Sequence, residues 1–249
     1  MAKLKSFIKI EGTLDGLTFY KSKDGYFVKT KGGISKSRIM KDPAFKRTRE
    51  NLHEFGLNAA AGKFIRQAVG PMLHKAKDSR LSSRMLKLMS VIKNFDTVSK
   101  RGQRQVGLGL QGIEGKALLK DFNFNNEAHL DAVLKTSYTL DTTTGVLSIM
   151  NLNPLEQLNF PEGSSHVRFS TGIVKLDFET STFMNSYSES LTFALTNLVE
   201  NIELTPAAVP ILEGVQFHLF LIEFLQEVNG DLYPLYNGDY NTLNIVEVL

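Results

Sequence analysis

The 249-residue chain contains no cysteine and no tryptophan. Without cysteine there is no disulfide framework, no thiolate nucleophile and no Cys-ligated metal site. Without tryptophan a common platform for stacking on sugars is missing, which weighs against a carbohydrate-binding or adhesion module. Long apolar runs are also missing: no stretch approaches about 18 uninterrupted apolar residues, so no membrane-spanning helix is expected. The start of the chain, MAKLKSFIKIEG, carries lysines but not the apolar run of a signal peptide. No Asn-x-Ser/Thr acceptor occurs. These absences predict a cytoplasmic protein, or one within a particle assembled in the cytoplasm.

The chain does have the composition of a folded protein. Its hydrophobic fraction is 42% and its charged fraction 22%, which argues against global disorder. The net charge of +3 conceals an uneven distribution. Residues 1–104 hold 24 Lys/Arg against 8 Asp/Glu, a balance of +16, whereas residues 105–249 hold 5 against 18, a balance of −13. Such asymmetry points to a polyanionic partner, to a charged interaction arm, or to copies that meet basic half to acidic half.

Periodicity divides the chain the same way. Phe7–Glu11 reads as a short strand. Leu17–Lys21 and Tyr26–Thr30 flank Asp24-Gly25 as a hairpin. Asp42-Pro43 opens a helix that Gly56 is expected to stop, with Phe45, Leu52 and Phe55 on its apolar face. A second helix is predicted over 58–69, burying Phe64, Ile65 and Val69. A third runs from Ser79 to Asn94 with an apolar stripe of Leu81, Met85, Leu88 and Ile92. Five glycines weaken a fourth helix over 101–120.

Beyond residue 121 the period becomes two. Strands are expected over 133–140, 145–150, 167–178, 190–195, 202–204, 215–228 and 243–248, with turns at Asn229-Gly230 and Asn237-Gly238. The expected fold class is α+β: a basic module of hairpin plus helices over 1–120, then an acidic antiparallel β-sandwich of immunoglobulin-like outline over 121–249.

Several short stretches spell part of a known motif and lack the rest. Gly107-Leu108-Gly109-Leu110-Gln111-Gly112 spells G-x-G-x-x-G, but no strand precedes it and no βαβ pattern follows. A P-loop ending at Gly115-Lys116 fails because Leu110 replaces its first glycine and Ala117 the hydroxyl. Close helix packing or a flexible joint is the better account. The segment Asp121–Asn126 resembles the start of a calcium loop, yet Ala132 stands where the bidentate glutamate belongs. His53-Glu54 begins H-E-x-x-H but Leu57 ends it. Ser90-Val91-Ile92-Lys93 matches S-x-x-K without companion motifs. No catalytic residue, metal site, cofactor or small-molecule substrate is nominated, and the chain is not expected to be an enzyme.

The charged surfaces are the better candidates. Arg80, Arg84 and Lys87 form a predicted basic ridge, which Lys75, Lys77, Arg101 and Arg104 extend. Tyr20 and Tyr26 lie among lysines, where they would stack on bases or sit in a small core. Asp177, Glu179, Glu200 and Glu203 are the acidic counterparts.

Gly16–Lys21, Lys31-Gly32-Gly33 and Asp42–Asn51 resemble an uncharacterised family of Bacteroidota proteins, and 222–224, 226–230 and 246–248 look like the end of the same family. The resemblance implies one shared two-part architecture and brings no catalytic or binding residue with it. The leading expectation is a non-enzymatic structural protein that self-assembles into a ring, filament or phage-like particle through basic-to-acidic head-to-tail contacts. The alternative is a nucleic-acid-binding protein that grips phosphates with its helical half. In a third possibility the two halves simply neutralise each other within one monomer.

Overall fold

A computed structural model describes residues 2–5, 8–30 and 32–249, apart from the side chain of Asn237. The chain forms two compact units, Met1–Asn51 and Leu52–Leu249. The expected boundary at 120/121 therefore falls inside the second unit.

The first unit is an antiparallel sheet followed by helical turns. Strands β1 (Ala2–Lys3), β2 (Gly12–Leu14), β3 (Leu17–Ser22) and β4 (Gly25–Thr30) lie in the order β1-β4-β3-β2. The predicted hairpin is β3–β4, but Ser22 pairs with Gly25, so Lys23-Asp24 make the turn. The strand expected over Phe7–Glu11 is not formed by the described residues 8–11, and Phe7 and Lys31 lie outside the described residues. Helix α1 (Lys36–Lys41) follows, capped by the Ser35 hydroxyl. Asp42 then accepts from the Ala44 N–H (2.9 Å) and opens a short 3-10 turn, Pro43–Phe45. Among the described residues, 2–51 include none that is buried.

Helix α2 (Lys46–Ala68) passes through Gly56 without a break, so the two helices expected over 42–69 are one. A glycine in an exposed helix interior costs only about 1 kcal/mol relative to alanine, too little to end a helix anchored by tertiary contacts. The apolar face was also misread. Leu52 and Phe55 are 54% and 55% exposed, whereas the buried positions are Glu54, Asn58, Gly62, Ile65 and Ala68. The buried side of the first half of α2 is polar, which no hydrophobic period can signal. Helices α3 (Gly70–Leu73) and α4 (Leu81–Ile92) follow; Leu81, Met85, Met89 and Ile92 are buried as the stripe in α4 required.

Residues 101–120 fold into two short helices, α5 (Val106–Gly109) and α6 (Ile113–Leu119). A Cβ on Gly109 would collide with the Ile92 carbonyl, one on Gly115 with the Gly109 carbonyl, and one on Gly107 with the Phe178 side chain. These glycines let backbones pack at distances no side chain permits.

The remaining elements are α7 (Leu130–Val133), β5 (Thr139–Leu140), β6 (Leu147–Leu152), α8 (Pro154–Gln157), β7 (His166–Asp177), β8 (Thr182–Tyr187), β9 (Leu191–Ala194), β10 (Glu200–Leu204), β11 (Val215–Val228), β12 (Asp231–Pro234) and β13 (Thr242–Val248). The predicted strand over 133–140 survives only as β5, because 130–133 is helical. Asn229 and Gly230 both have positive φ (55° and 88°), as a two-residue turn between β11 and β12 requires. β7 and β11 pair over eleven residues and form the centre of a six-stranded antiparallel sheet. β12 and β13 flank β11, and β8 and β9 flank β7. A three-stranded sheet, β10-β6-β5, packs on one face.

β11 reads VQFHLFLIEFLQEV because both its faces are covered. Val215, Phe217, Leu219 and Leu221 join Met85, Met89 and Ile92 in a core on the helical side. Phe220, Ile222 and Phe224 join Leu147, Ile149, Ile202 and Leu204 in a core on the other. Each such buried side chain contributes about 1.5–3 kcal/mol of transfer free energy. The architecture is α+β with antiparallel sheets. Helices cover one face of the large sheet, which an immunoglobulin-like outline has no place for. Among the described residues no helix is long and apolar enough to cross a membrane.

Candidate functional site

Several of the basic residues picked out in the sequence belong to the interior. Glu54 is only 3% exposed and accepts two bonds from Arg104, Nε to Oε1 (2.8 Å) and Nη2 to Oε2 (2.9 Å). Lys93 Nζ lies 2.8 Å from the same carboxylate, and the Gly102 N–H donates to it at 2.7 Å. The Arg104 guanidinium above all, with Lys93 and Gly102, holds the Glu54 carboxyl far below the usual carboxylate range despite its burial. His53 Nδ1 meets the Gly102 carbonyl at 2.6 Å. His53 and Glu54, the start of a broken zinc motif, thus pin the 96–105 loop to α2. Asp96 completes the loop by accepting from the Val98, Ser99 and Gln105 N–H groups.

Arg84 is likewise internal. It pairs with Asp78, donates to the Asn123 (2.9 Å) and Phe124 (3.0 Å) carbonyls, and places its guanidinium 5.2 Å from the Phe122 ring centre. The expected Arg80–Arg84–Lys87 ridge is therefore interrupted: Arg80 and Lys87 are exposed, and Arg84 fastens α4 to residues 122–124. Lys75 pairs with Glu223 of β11, itself almost fully buried, at 2.9 Å. Lys77 and Arg101 are exposed.

The segment Asp121–Asn126 is similarly committed. Phe122 and Phe124 meet edge to face at 5.3 Å against the helical-side core. Asn123 Oδ1 accepts from the Leu130 N–H and from Asn244, and Asn125 Nδ2 donates to the Asp239 and Asn241 carbonyls. The Asn123 and Asn125 amide oxygens that a cation would need are turned onto protein, Asn125 Oδ1 accepting from the Glu127 N–H. Among the described residues no three His, Asp or Glu side chains converge as a metal site.

The two tyrosines lie in the sheet of the first unit. Tyr20 stacks on Phe27 (5.9 Å, 23°), with Lys29 Nζ 5.4 Å from the Tyr20 ring centre. Tyr26 has Lys9 and Lys21 at 5.2 and 5.8 Å. Registry places Leu17, Phe19, Lys21, Tyr26 and Val28 on one face of this sheet and Tyr20, Phe27 and Lys29 on the other. Both faces combine aromatic and cationic groups.

The four acids lie in two places. Glu200 and Glu203 are on β10 of the small sheet, whereas Asp177 and Glu179 form the β7–β8 corner. Asp177 accepts from the Glu179 N–H (2.8 Å), the Thr180 N–H (3.3 Å) and the Thr180 hydroxyl (2.6 Å), which hold its carboxyl below the usual range. Glu213 joins Asp177 and Glu179 around a groove of about 660 Å³, where Leu108, Leu176 and Val215 also contribute. Sequence reasoning did not single out Glu213. Its one signal is Gly214, a turn residue at φ +127° just before β11.

No family model, curated protein or solved structure matches the chain. The resemblance to Bacteroidota proteins thus stands on the quoted residues alone, and function is argued from geometry and charge.

Proposed function

We propose that the chain is a non-enzymatic structural protein that assembles with copies of itself, the first unit of one copy docking on the second unit of the next. The observation that carries this reading is the opposite charge of the two compact units. Residues 1–51 hold 13 Lys/Arg against 5 Asp/Glu, a balance of +8, and residues 52–249 hold 16 against 21, a balance of −5. The first unit also has no buried residue among those described, while Leu14, Leu17, Ile34 and Met40 are exposed. About fifty residues rarely build a core sufficient for their own stability, so a sheet of this kind gains by being covered. Like charge opposes pairing of two first units, and opposite charge favours a head-to-tail contact. Contacts of that kind close into rings or extend as filaments, and complementary potentials speed their formation.

Molar mass by light scattering at low and high salt, with absorbance at 260 and 280 nm before and after nuclease, tests the reading. The expected result is a nucleic-acid-free assembly that grows with concentration and dissociates as salt screens the charges. A monomer at every salt concentration overturns it. The second reading, nucleic-acid binding, is favoured by the Tyr20–Phe27–Lys29 and Tyr26–Lys21 groupings, which match single-strand stacking platforms. Its helical part is weakened because Arg84, Arg104 and Lys75 engage Asp78, Glu54 and Glu223. A monomer carrying nuclease-sensitive material would put this second reading first.

A further inference from the structure

We infer that the seat for a neighbouring copy's first unit is the groove at the β7–β8 corner, bounded by Asp177, Glu179 and Glu213. This rests on the self-assembly reading and deepens it. The groove holds about 660 Å³, within the range of ordinary binding clefts, roughly 300–1,000 Å³. Its charged side chains are three carboxylates against one lysine, Lys116, and its apolar part includes Leu108, Leu176 and Val215. An apolar floor with an acidic rim suits lysine, whose stem is hydrocarbon and whose head is cationic, and suits the aromatic rings beside it.

The walls are preformed. Gly214 lies so close to the Leu176 carbonyl, and Gly107 to the Phe178 side chain, that neither position admits a Cβ. Asp177 is fixed by three donors from its own turn. Little ordering is needed on docking, which removes one of the main costs of association. Next to the groove β8 exposes Phe183 (40%), which pairs directly with Leu176 of the floor and so lies on the same face of the sheet. The apolar surface thus continues from the cleft onto the strand. The carboxylates do not converge as a metal site. The first unit offers a cation on each face of its sheet, Lys21 exposed beside Tyr26 on one and Lys29 exposed beside Tyr20 on the other, so either face brings a lysine and an aromatic ring to the groove.

The test uses full-length variants, each checked for an unchanged far-UV circular dichroism spectrum. E179K/E213K reverses two exposed rim charges and leaves the Asp177 turn intact. It should weaken self-association by about tenfold or more at low salt. E200K/E203K makes the same change in net charge on β10 and should leave assembly unchanged. K21A/K29A disables the donor without creating a charge that a lysine-lined groove would attract. A mixture of K21A/K29A with E179K/E213K has one intact junction per pair, so it should stop at a heterodimer under conditions where each variant alone associates at least about tenfold more weakly than wild type. Wild-type assembly that E179K/E213K does not weaken, or that E200K/E203K weakens equally, overturns the groove and leaves self-assembly standing. A mixture that forms no heterodimer also overturns it. A wild-type chain that never assembles overturns the self-assembly reading itself.

Discussion

Replacing Glu54 should unsettle the second unit more than any other single carboxylate, and the size of the effect follows from its partners. Its two oxygens receive Arg104 twice, Lys93 once and the Gly102 N–H once, all between 2.7 and 2.9 Å. Removing one member of a buried ion pair leaves its partner uncompensated and costs about 3–5 kcal/mol. The Lys93 side chain is only 11% exposed and that of Arg104 26%, so Glu54→Ala belongs in that range. E54Q keeps the shape but presents an amide to two cations, and about 2–4 kcal/mol is expected for it. For a unit of this size 1 kcal/mol moves Tm by about 2–4 °C, so E54A should melt at least 6 °C below wild type.

The pH dependence gives a sharper check. The folded-state carboxyl titrates far below its ordinary value of 4.5, mainly because of Arg104. Its contribution is therefore complete above the unfolded value and fades as pH falls below it. The fading proceeds by about 1.4 kcal/mol per pH unit, because the unfolded chain takes up a proton that the folded one refuses. Urea unfolding followed by circular dichroism at pH 7 and pH 3.5 measures the gap between wild type and E54A. A gap under 1 kcal/mol at pH 7, or one unchanged at pH 3.5, would refute the ion-pair account.

Two further predictions concern glycine and histidine. G115A sets a methyl group against the Gly109 carbonyl, which cannot yield without moving α5, and should destabilise by about 1–3 kcal/mol; G56A meets open space in mid-helix and should stabilise by about 0.5–1 kcal/mol, both read from urea midpoints. His218 is fully buried and takes the Gln216 amide at Nε2 (2.8 Å). Burial lowers its pKa below 6.5 against the opposing pull of Glu247, the Thr142 backbone and Asp141, so its contribution is complete above pH 6.5 and declines as pH drops. Wild type should lose more stability than H218N between pH 7.5 and 5.5, and equal losses would count against the buried neutral imidazole.

How far the fold was legible depended on which side of an element faced solvent. The stripe of α4 was readable because its buried positions are apolar and its exposed ones polar. β7 and β11 were readable because covering both faces makes a continuous apolar run with turn residues at its ends. The first half of α2 was misread because Glu54 and Asn58 face inward while Leu52 and Phe55 face out. β8 was missed because Thr182–Tyr187 is an exposed strand with little alternation. The packing role favoured for the glycines of 107–115 has a concrete form in the Gly109–Gly115 approach, but the partner backbones lie where no local pattern points.

The charge pattern teaches a related lesson. An excess of sixteen positive charges over residues 1–104 suggested a basic helical surface. Four of the eleven Lys/Arg of residues 52–104 are matched by single acids, some far away in sequence: Glu54 for Lys93 and Arg104, Asp78 for Arg84, and Glu223 for Lys75. A count of charges cannot distinguish a lysine that holds a fold together from one that awaits a partner. Pairing can: it commits part of the helical charge to the fold, whereas the first unit carries its balance of +8 over a sheet and helical turns with nothing buried among the described residues. The same sorting separates the acids. Asp78, Glu54 and Glu223 have internal cations, whereas Glu179 and Glu213 are exposed on the rim of an apolar cleft. A basic surface without a core and an acidic cleft are opposite in charge, and that opposition is what the proposed contact between copies rests on.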